Sequence, residues 1–225
     1  MGAGDLGASP ALDPAAVTRP DLVMRIEDAL RAMAPPWVAT GARAVSADDV
    51  AGLWPAERAA ISRAVPVRQA EFATGRALLR RLIARDVEIP VGPDRRPQLP
   101  PGVTGTLAHD RLVAVAATAT RPTCRALGVD IEPASNTFAE IADSIRRPEE
   151  RQLDPRLVFV VKEAAYKAWS SSGGGFLDHH DVVVETDPSS RTFVATIVPS
   201  GVSFAGDYAS VENRVLALVV DERDG

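Results

Sequence analysis

The chain has 225 residues, 46% of them hydrophobic, and its 25 basic against 30 acidic residues give a formal net charge of -5. That is enough apolar material for one continuous core or two small ones. It excludes a general nucleic-acid binder, which needs a dense cationic surface, so an anionic ligand must be held by a local basic cluster.

The lone Cys124 cannot make an internal disulfide, and no early apolar run resembles a signal peptide or reaches the roughly 20 residues of a membrane span. A cytoplasmic enzyme or binding module without a membrane partner is expected. Residues 1–20 are dominated by Ala, Gly and Pro and read as a loose tail. A helix is predicted over 21–34, closed by Pro35 and Pro36, then a strand over 37–45. Residues 47–65 read as helical with a break at Pro55, and 67–86 as a longer helix. Five prolines between 90 and 101 enforce an extended connector. Strands are predicted over 103–107, 112–119 and 126–132, helices over 137–145 and 157–172, and four short β-branched strands over 181–186, 191–198, 202–209 and 214–220. Helices and strands do not alternate strictly, which favours α+β. No repeat is legible.

Two segments carry chemistry. In Leu127-Gly128-Val129-Asp130-Ile131-Glu132, strand alternation turns Leu127, Val129 and Ile131 to one face and sets Asp130 and Glu132 side by side on the other. Taken alone, such a pair is more often a solvated strand end. In the helix around residue 163, Val158, Val161, Ala165, Ala168 and Trp169 form an apolar stripe, with Lys162, Glu163, Tyr166 and Lys167 expected on the other side. A Glu-to-Lys pair on an exposed helix is by itself unremarkable. Three carboxylates with a lysine one turn away suit Mg²⁺, which bridges carboxylate and phosphate oxygens, and imply phosphoryl transfer.

LGVDIEP followed by FVVKEAAYKAW resembles the paired signature of the phosphopantetheinyl transferases, a strand of the form (V/I)G(V/I)D-x-E before a helix of the form F-x-x-K-E-A-x-x-K. Upstream, RQAEFATGR, DRRPQLP and GTLAH are similar in order and spacing to that family's coenzyme A-contacting segments. The resemblance implies two similar α+β halves related by a pseudo-twofold, 21–122 and 123–225, with the site between them. It implies Asp130, Glu132 and Glu163 as ligands of Mg²⁺ or Mn²⁺, Glu163 helping to deprotonate the acceptor serine, Lys167 at the departing 3′,5′-ADP and Lys162 balancing charge on the transferred phosphate. His109, Arg68, Arg76, Arg95 and Arg96 would hold the coenzyme A phosphates. The implied partners are coenzyme A and an apo carrier protein, acted on by a monomer. A silent coenzyme A-binding scaffold and a Mg²⁺-dependent phosphohydrolase are the competing readings. Ala108 stands where the family has Ser or Thr, and Val160 where it has a small polar residue. His179-His180 reads as a polar loop, Gly173-Gly174-Gly175 as a helix stop, and Trp37, Trp54 and Trp169 as core residues.

Overall fold

The computed structural model describes residues 20–222 apart from 93, 121 and 136, so nearly all of the expected tail lies outside the described residues. The fold is α+β with two antiparallel sheets. The first contains β1 (Ala39–Ala44), β2 (Thr104–His109) and β3 (Val113–Ala119) in the order β1-β3-β2. The second contains β4 (Cys124–Pro133), β5 (Val182–Asp187), β6 (Thr192–Ile197), β7 (Val202–Val211) and β8 (Arg214–Glu222) in the order β4-β8-β7-β6-β5.

Helix α1 (Pro20–Met33) buries Leu22, Ile26 and Leu30, one row at four-residue spacing. The stretch expected as helical to residue 65 does break at Pro55, where α2 (Pro55–Ile61) starts, but its first part is a 3₁₀ turn, Ala47–Gly52, at whose start the Ser46 hydroxyl accepts the Asp48 N–H. Helix α3 (Pro66–Ile83) stops three residues short of the expected end, where Ala84 turns left-handed at φ 51° and donates to the Arg80 and Arg81 carbonyls. The predicted helix 137–145 is broken into α4 (Thr137–Glu140) and α5 (Ala142–Ile145). Helix α6 (Pro155–Ser171) begins at Pro155 with Asp154 capping the Arg156 N–H.

β2 and β4 are edge strands of different sheets, and they run side by side: the Val129 N–H, on β4, donates to the Thr106 hydroxyl, on β2, at 3.1 Å. Leu127, Val129 and Ile131 join the core formed with α1 and the first sheet, while Ala126 belongs to the core under α6. The two sheets are also tied by a buried ion pair between Asp110, just after β2, and Arg214, the first residue of β8, at 2.6 Å.

Gly128 sets the distance between β4 and α6. A Cβ there would stand 1.8 Å from the Ala164 carbonyl oxygen, so only glycine lets the strand and helix approach this closely. Ala164 follows Glu163, and Gly128 precedes Asp130 by two residues. The tight contact therefore fixes the two carboxylates relative to one another. Trp54 departs from expectation: it is exposed, whereas Trp37 and Trp169 pack against the two cores.

Candidate active site

The cleft lies where β2, β4, α3 and α6 meet. Asp130 is buried on β4, and its Oδ1 accepts the Lys167 Nζ–H at 2.6 Å. Lys167 also donates to the Val129 carbonyl at 3.0 Å, which holds the ammonium at the cleft floor. Asp130 Oδ2 is buried with no hydrogen-bond partner. A buried carboxylate oxygen left unpaired costs free energy unless a cation or donor reaches it.

The electrostatics point the same way. Burial pushes the Asp130 carboxyl up to about 6, against the pull of Lys167, and the charge of Glu163 adds to the rise. Glu132, two residues on along the same face, is pushed up to about 7 by burial and then by the neighbouring charge of Asp130. Burial also raises Glu163, with Lys167 opposing. The charges of Asp130, Glu132 and Glu163 act on one another, and Lys167 is the cation that opposes the rise of all three. Among the described residues, no three acidic, His or Cys side chains are already drawn into a metal-holding group. The donors are nonetheless of the right kind: hard oxygens, an unpaired Oδ2, and anionic charge in need of neutralisation, which fits a divalent cation.

The cations of the first half face this group. His109, the last residue of β2, accepts an Arg68 N–H at Nε2 across 2.7 Å, and Arg68 also donates to Glu71 at 3.2 Å. Burial lowers the His109 pKa, consistent with a neutral ring whose Nδ1 lies 3.7 Å from Glu71. Arg76 is almost fully buried, donates from Nε to the Ile89 carbonyl at 2.7 Å, and stacks on Phe72 with its guanidinium carbon 4.2 Å from the ring centroid. Arg68, Arg76, Arg95, His109, Asp130 and Lys167 share the lining of a cavity of about 340 Å³. A second cavity, of about 480 Å³, continues past Arg95 and Lys167 to Arg96, Ser171 and Arg125, the last of which the sequence did not single out. A third, of about 680 Å³ and more apolar, opens beside His109 and Glu132 and reaches Leu112, Phe138 and Arg214.

Lys162 requires a correction. It was expected on the helix face beside Glu163 and Lys167, balancing charge on a phosphate; instead its side chain is 1% exposed and points into the second half. Its Nζ donates to Glu150 at 2.7 Å and to the Ile145 and His179 carbonyls at 2.9 and 2.8 Å. With all three ammonium donors used, it fastens α5 and two 3₁₀ turns to α6. Arg96 reaches the cleft wall, but its guanidinium is engaged by Asp94 and by the Ser170 carbonyl. His180 Nε2 meets the Asp143 carbonyl at 3.1 Å within a 3₁₀ turn. Gly173 takes a left-handed φ of 92° just beyond α6. Val160 lies in the second core and Ala108 beside the first, so neither departure displaces a carboxylate or a lysine.

Comparison with known proteins gives two family matches in tandem: the 4′-phosphopantetheinyl transferase N-terminal domain over residues 56–119, and the 4′-phosphopantetheinyl transferase superfamily over 126–219. The 4′-phosphopantetheinyl transferase Svp of Streptomyces mobaraensis is 32% identical over 217 residues, covering 84% of this chain and 88% of that protein. The transferase PptT of Mycobacterium tuberculosis is 32% identical over 171 residues, 68% of this chain and 75% of PptT. The transferase Npt of Nocardia iowensis is 36% identical over 129 residues, 51% of this chain and 58% of Npt.

Proposed function

The chain belongs to the 4′-phosphopantetheinyl transferases, and from that premise we propose how its cleft divides the work of moving phosphopantetheine from coenzyme A to a carrier-protein serine. In the reaction the serine Oγ–P bond forms, the P–O bond of the pyrophosphate breaks, and 3′,5′-ADP departs. Little covalent chemistry falls to the protein; it positions the substrates and neutralises developing charge.

Asp130, Glu132 and Glu163 would hold Mg²⁺ or Mn²⁺. When bound, the ion supplies electrostatic neutralisation of the pyrophosphate oxygens. Lys167, kept in place by Asp130 and the Val129 carbonyl, donates its remaining proton to the departing phosphate oxygen. Glu163, whose pKa burial raises against the pull of Lys167, accepts the serine proton. Arg68, Arg76, Arg95 and His109 receive the phosphates of the nucleotide half, His109 as a neutral ring that can donate once it yields its contact with Arg68.

The carboxylates stand between a cationic side and a more apolar one. Nucleotide binding on the cationic side leaves the 680 Å³ cavity, bordered by Glu132 and Phe138, for the approaching carrier. The protein acts as a cytoplasmic monomer, since both sides of the cleft come from one chain, with residues 21–122 and 123–225 as its two halves. No described helix is long and apolar enough to cross a membrane.

The single observation that carries this reading is Asp130: buried, bonded to Lys167 through one oxygen, and unpartnered at the other, in a cleft lined by His109 and three arginines. Incubation with coenzyme A, Mg²⁺ and an apo carrier domain, followed by intact mass measurement of the carrier, tests it. A phosphopantetheine adduct is expected. Retention of coenzyme A without an adduct supports a silent binder, and hydrolysis without transfer supports a phosphohydrolase.

A further inference from the structure

Residue 95 adopts a conformation unusual for its type. Arg95 has φ 67°, the left-handed region that favours glycine, yet its side chain lines both cavities of the cationic side. The surrounding structure must hold the turn in place. The Arg95 N–H donates to the Gly92 carbonyl at 2.9 Å, the Gly92 N–H to the Arg96 carbonyl at 2.7 Å, and Val91 pairs with Pro97. Among the described residues, these bonds shape the turn but do not fix it to the rest of the molecule.

Arg96 does. Its Nε donates to Asp94 Oδ2 at 2.7 Å, a second nitrogen donates to the same oxygen, and its backbone N–H reaches Asp94 Oδ1 at 3.0 Å. The remaining terminal nitrogen crosses between the halves and donates to the Ser170 carbonyl at 2.6 Å. Ser170 is in the last turn of α6, where the helix dipole favours a cation, and its carbonyl also accepts the Gly173 N–H at 3.1 Å. One turn back, α6 carries Lys167, and one turn before that, Glu163. The planar fork of an arginine can serve Asp94 and Ser170 together; an ammonium cannot reproduce that geometry.

We infer that Arg96 is a positioning residue that straps the turn at Asp94–Pro97 to the C-terminal end of α6, thereby holding Arg95 across the cleft from Lys167. It is not itself a phosphate ligand, because Asp94 already neutralises it. The inference rests on the coenzyme A reading of the cleft and assigns Arg96 a different role there from that of Arg68, Arg76 and Arg95.

The two roles predict opposite outcomes. If Arg96 bound phosphate directly, Asp94 would compete for its charge, and Asp94→Asn would tighten coenzyme A binding. If Arg96 is a strap, Asp94→Asn loosens its anchor and weakens binding. The test is the Kd for coenzyme A by calorimetry, with Tm recorded for each variant to exclude unfolding. The strap predicts that Arg96→Ala and Arg96→Lys each weaken binding about tenfold, that Asp94→Asn weakens it about threefold, and that Arg96→Ala has little further effect in an Arg95→Ala background. Tighter binding by Asp94→Asn, rescue by Arg96→Lys, or additive losses in the double variant would each overturn it. Should Arg96→Ala fail to fold, the sign of the Asp94→Asn effect still decides. Carrier modification by the wild-type protein is followed separately, so failure of the transferase reading is distinguishable from failure of the strap.

Discussion

The two halves are built on the same buried device but carry different chemistry. In the first, Trp54-Pro55-Ala56-Glu57 opens α2, and the fully buried Glu57 accepts the Trp54 N–H at 3.0 Å, the Ile89 N–H at 2.8 Å and Arg80 at 2.7 Å. In the second, Arg147-Pro148-Glu149-Glu150 opens a 3₁₀ turn, and buried Glu150 accepts the Arg147 N–H, the Val184 N–H and Lys162, each at 2.7 Å. Each glutamate ties a proline-started turn, a cation on the following long helix, and a backbone amide beyond that helix. The difference lies in what each long helix shows the cleft: α3 presents Arg68 and Arg76, whereas α6 presents Glu163 and Lys167. The same buried device thus recurs under two long helices, and the proposed division gives anion binding to α3 and the transfer to α6.

That contrast predicts a split in kinetics. Glu163→Gln removes the group proposed to accept the serine proton, and kcat is expected to fall by about 10³-fold or more with Tm little changed. Arg68→Ala on the first half is expected to raise KM for coenzyme A about tenfold while kcat stays within about threefold. Steady-state kinetics on one carrier domain measure both. A kcat collapse for Arg68→Ala, or near-normal turnover for Glu163→Gln, would erase the division of labour.

The shared scaffold is tested by Glu57→Gln and Glu150→Gln. Each leaves a buried cation without its counter-ion, and an amide NH₂ turned toward N–H donors, so each is expected to lose about 3–5 kcal/mol of stability. For a chain of this size that is a fall in Tm of roughly 6–20 °C, read by calorimetry, with activity per folded molecule kept. If one substitution proved neutral, the two halves would not rely on the same device.

How much of this was legible in the sequence follows from where the signals sit. The alternation of Leu127, Val129 and Ile131 against Asp130 and Glu132 is a period-two pattern inside one strand, and the structure shows it directly. Strand placements were recovered within a few residues because β-branched runs and turns mark them locally. The orientation of Lys162 was not legible. Its helical position lies near the boundary between faces, and its buried partner Glu150 is twelve residues away in a turn that periodicity does not reveal. The X-Pro-x-Glu repeat was present as Pro55-Ala56-Glu57 and Pro148-Glu149-Glu150, but two short matches with different cations are too little to read as duplication without the fold. Arg214 and Asp110 are 104 positions apart, and only the packing of β2 beside β4 makes them a pair. The break between α4 and α5 escaped because residues 137–145 contain neither Gly nor Pro.

Gly128→Ala sharpens the comparison from another side. The added methyl would collide with the Ala164 carbonyl, so β4 and α6 must separate. Overpacking of this kind costs about 1–3 kcal/mol. Because the separation displaces Glu163 and Lys167 from Asp130, activity is expected to fall further than stability does, by about 10²-fold per folded molecule. Equal loss of both would mean that the strand-to-helix distance does not set the active geometry.

The smallest effect expected is on stability as a function of pH, and it separates the halves by sign. Asp130 and Glu132 have folded pKa values raised to about 6 and about 7, above the ordinary 3.8 and 4.5. The folded state therefore binds protons more tightly than the unfolded chain, and these two groups make the protein lose stability as pH rises from about 4 to about 7. His109 on the first half is lowered by burial, so its charged form is disfavoured in the fold, and its contribution increases as pH rises through the ordinary imidazole range. In metal-free buffer the Tm of Asp130→Asn should decline less with rising pH than that of wild type, whereas His109→Gln should steepen the decline. Added Mg²⁺ should flatten the wild-type curve from the alkaline end, since it compensates the same carboxylates once they are ionised. An identical pH profile for wild type and Asp130→Asn would show that ionising the buried Asp130 carboxyl is not what costs the fold stability as pH rises.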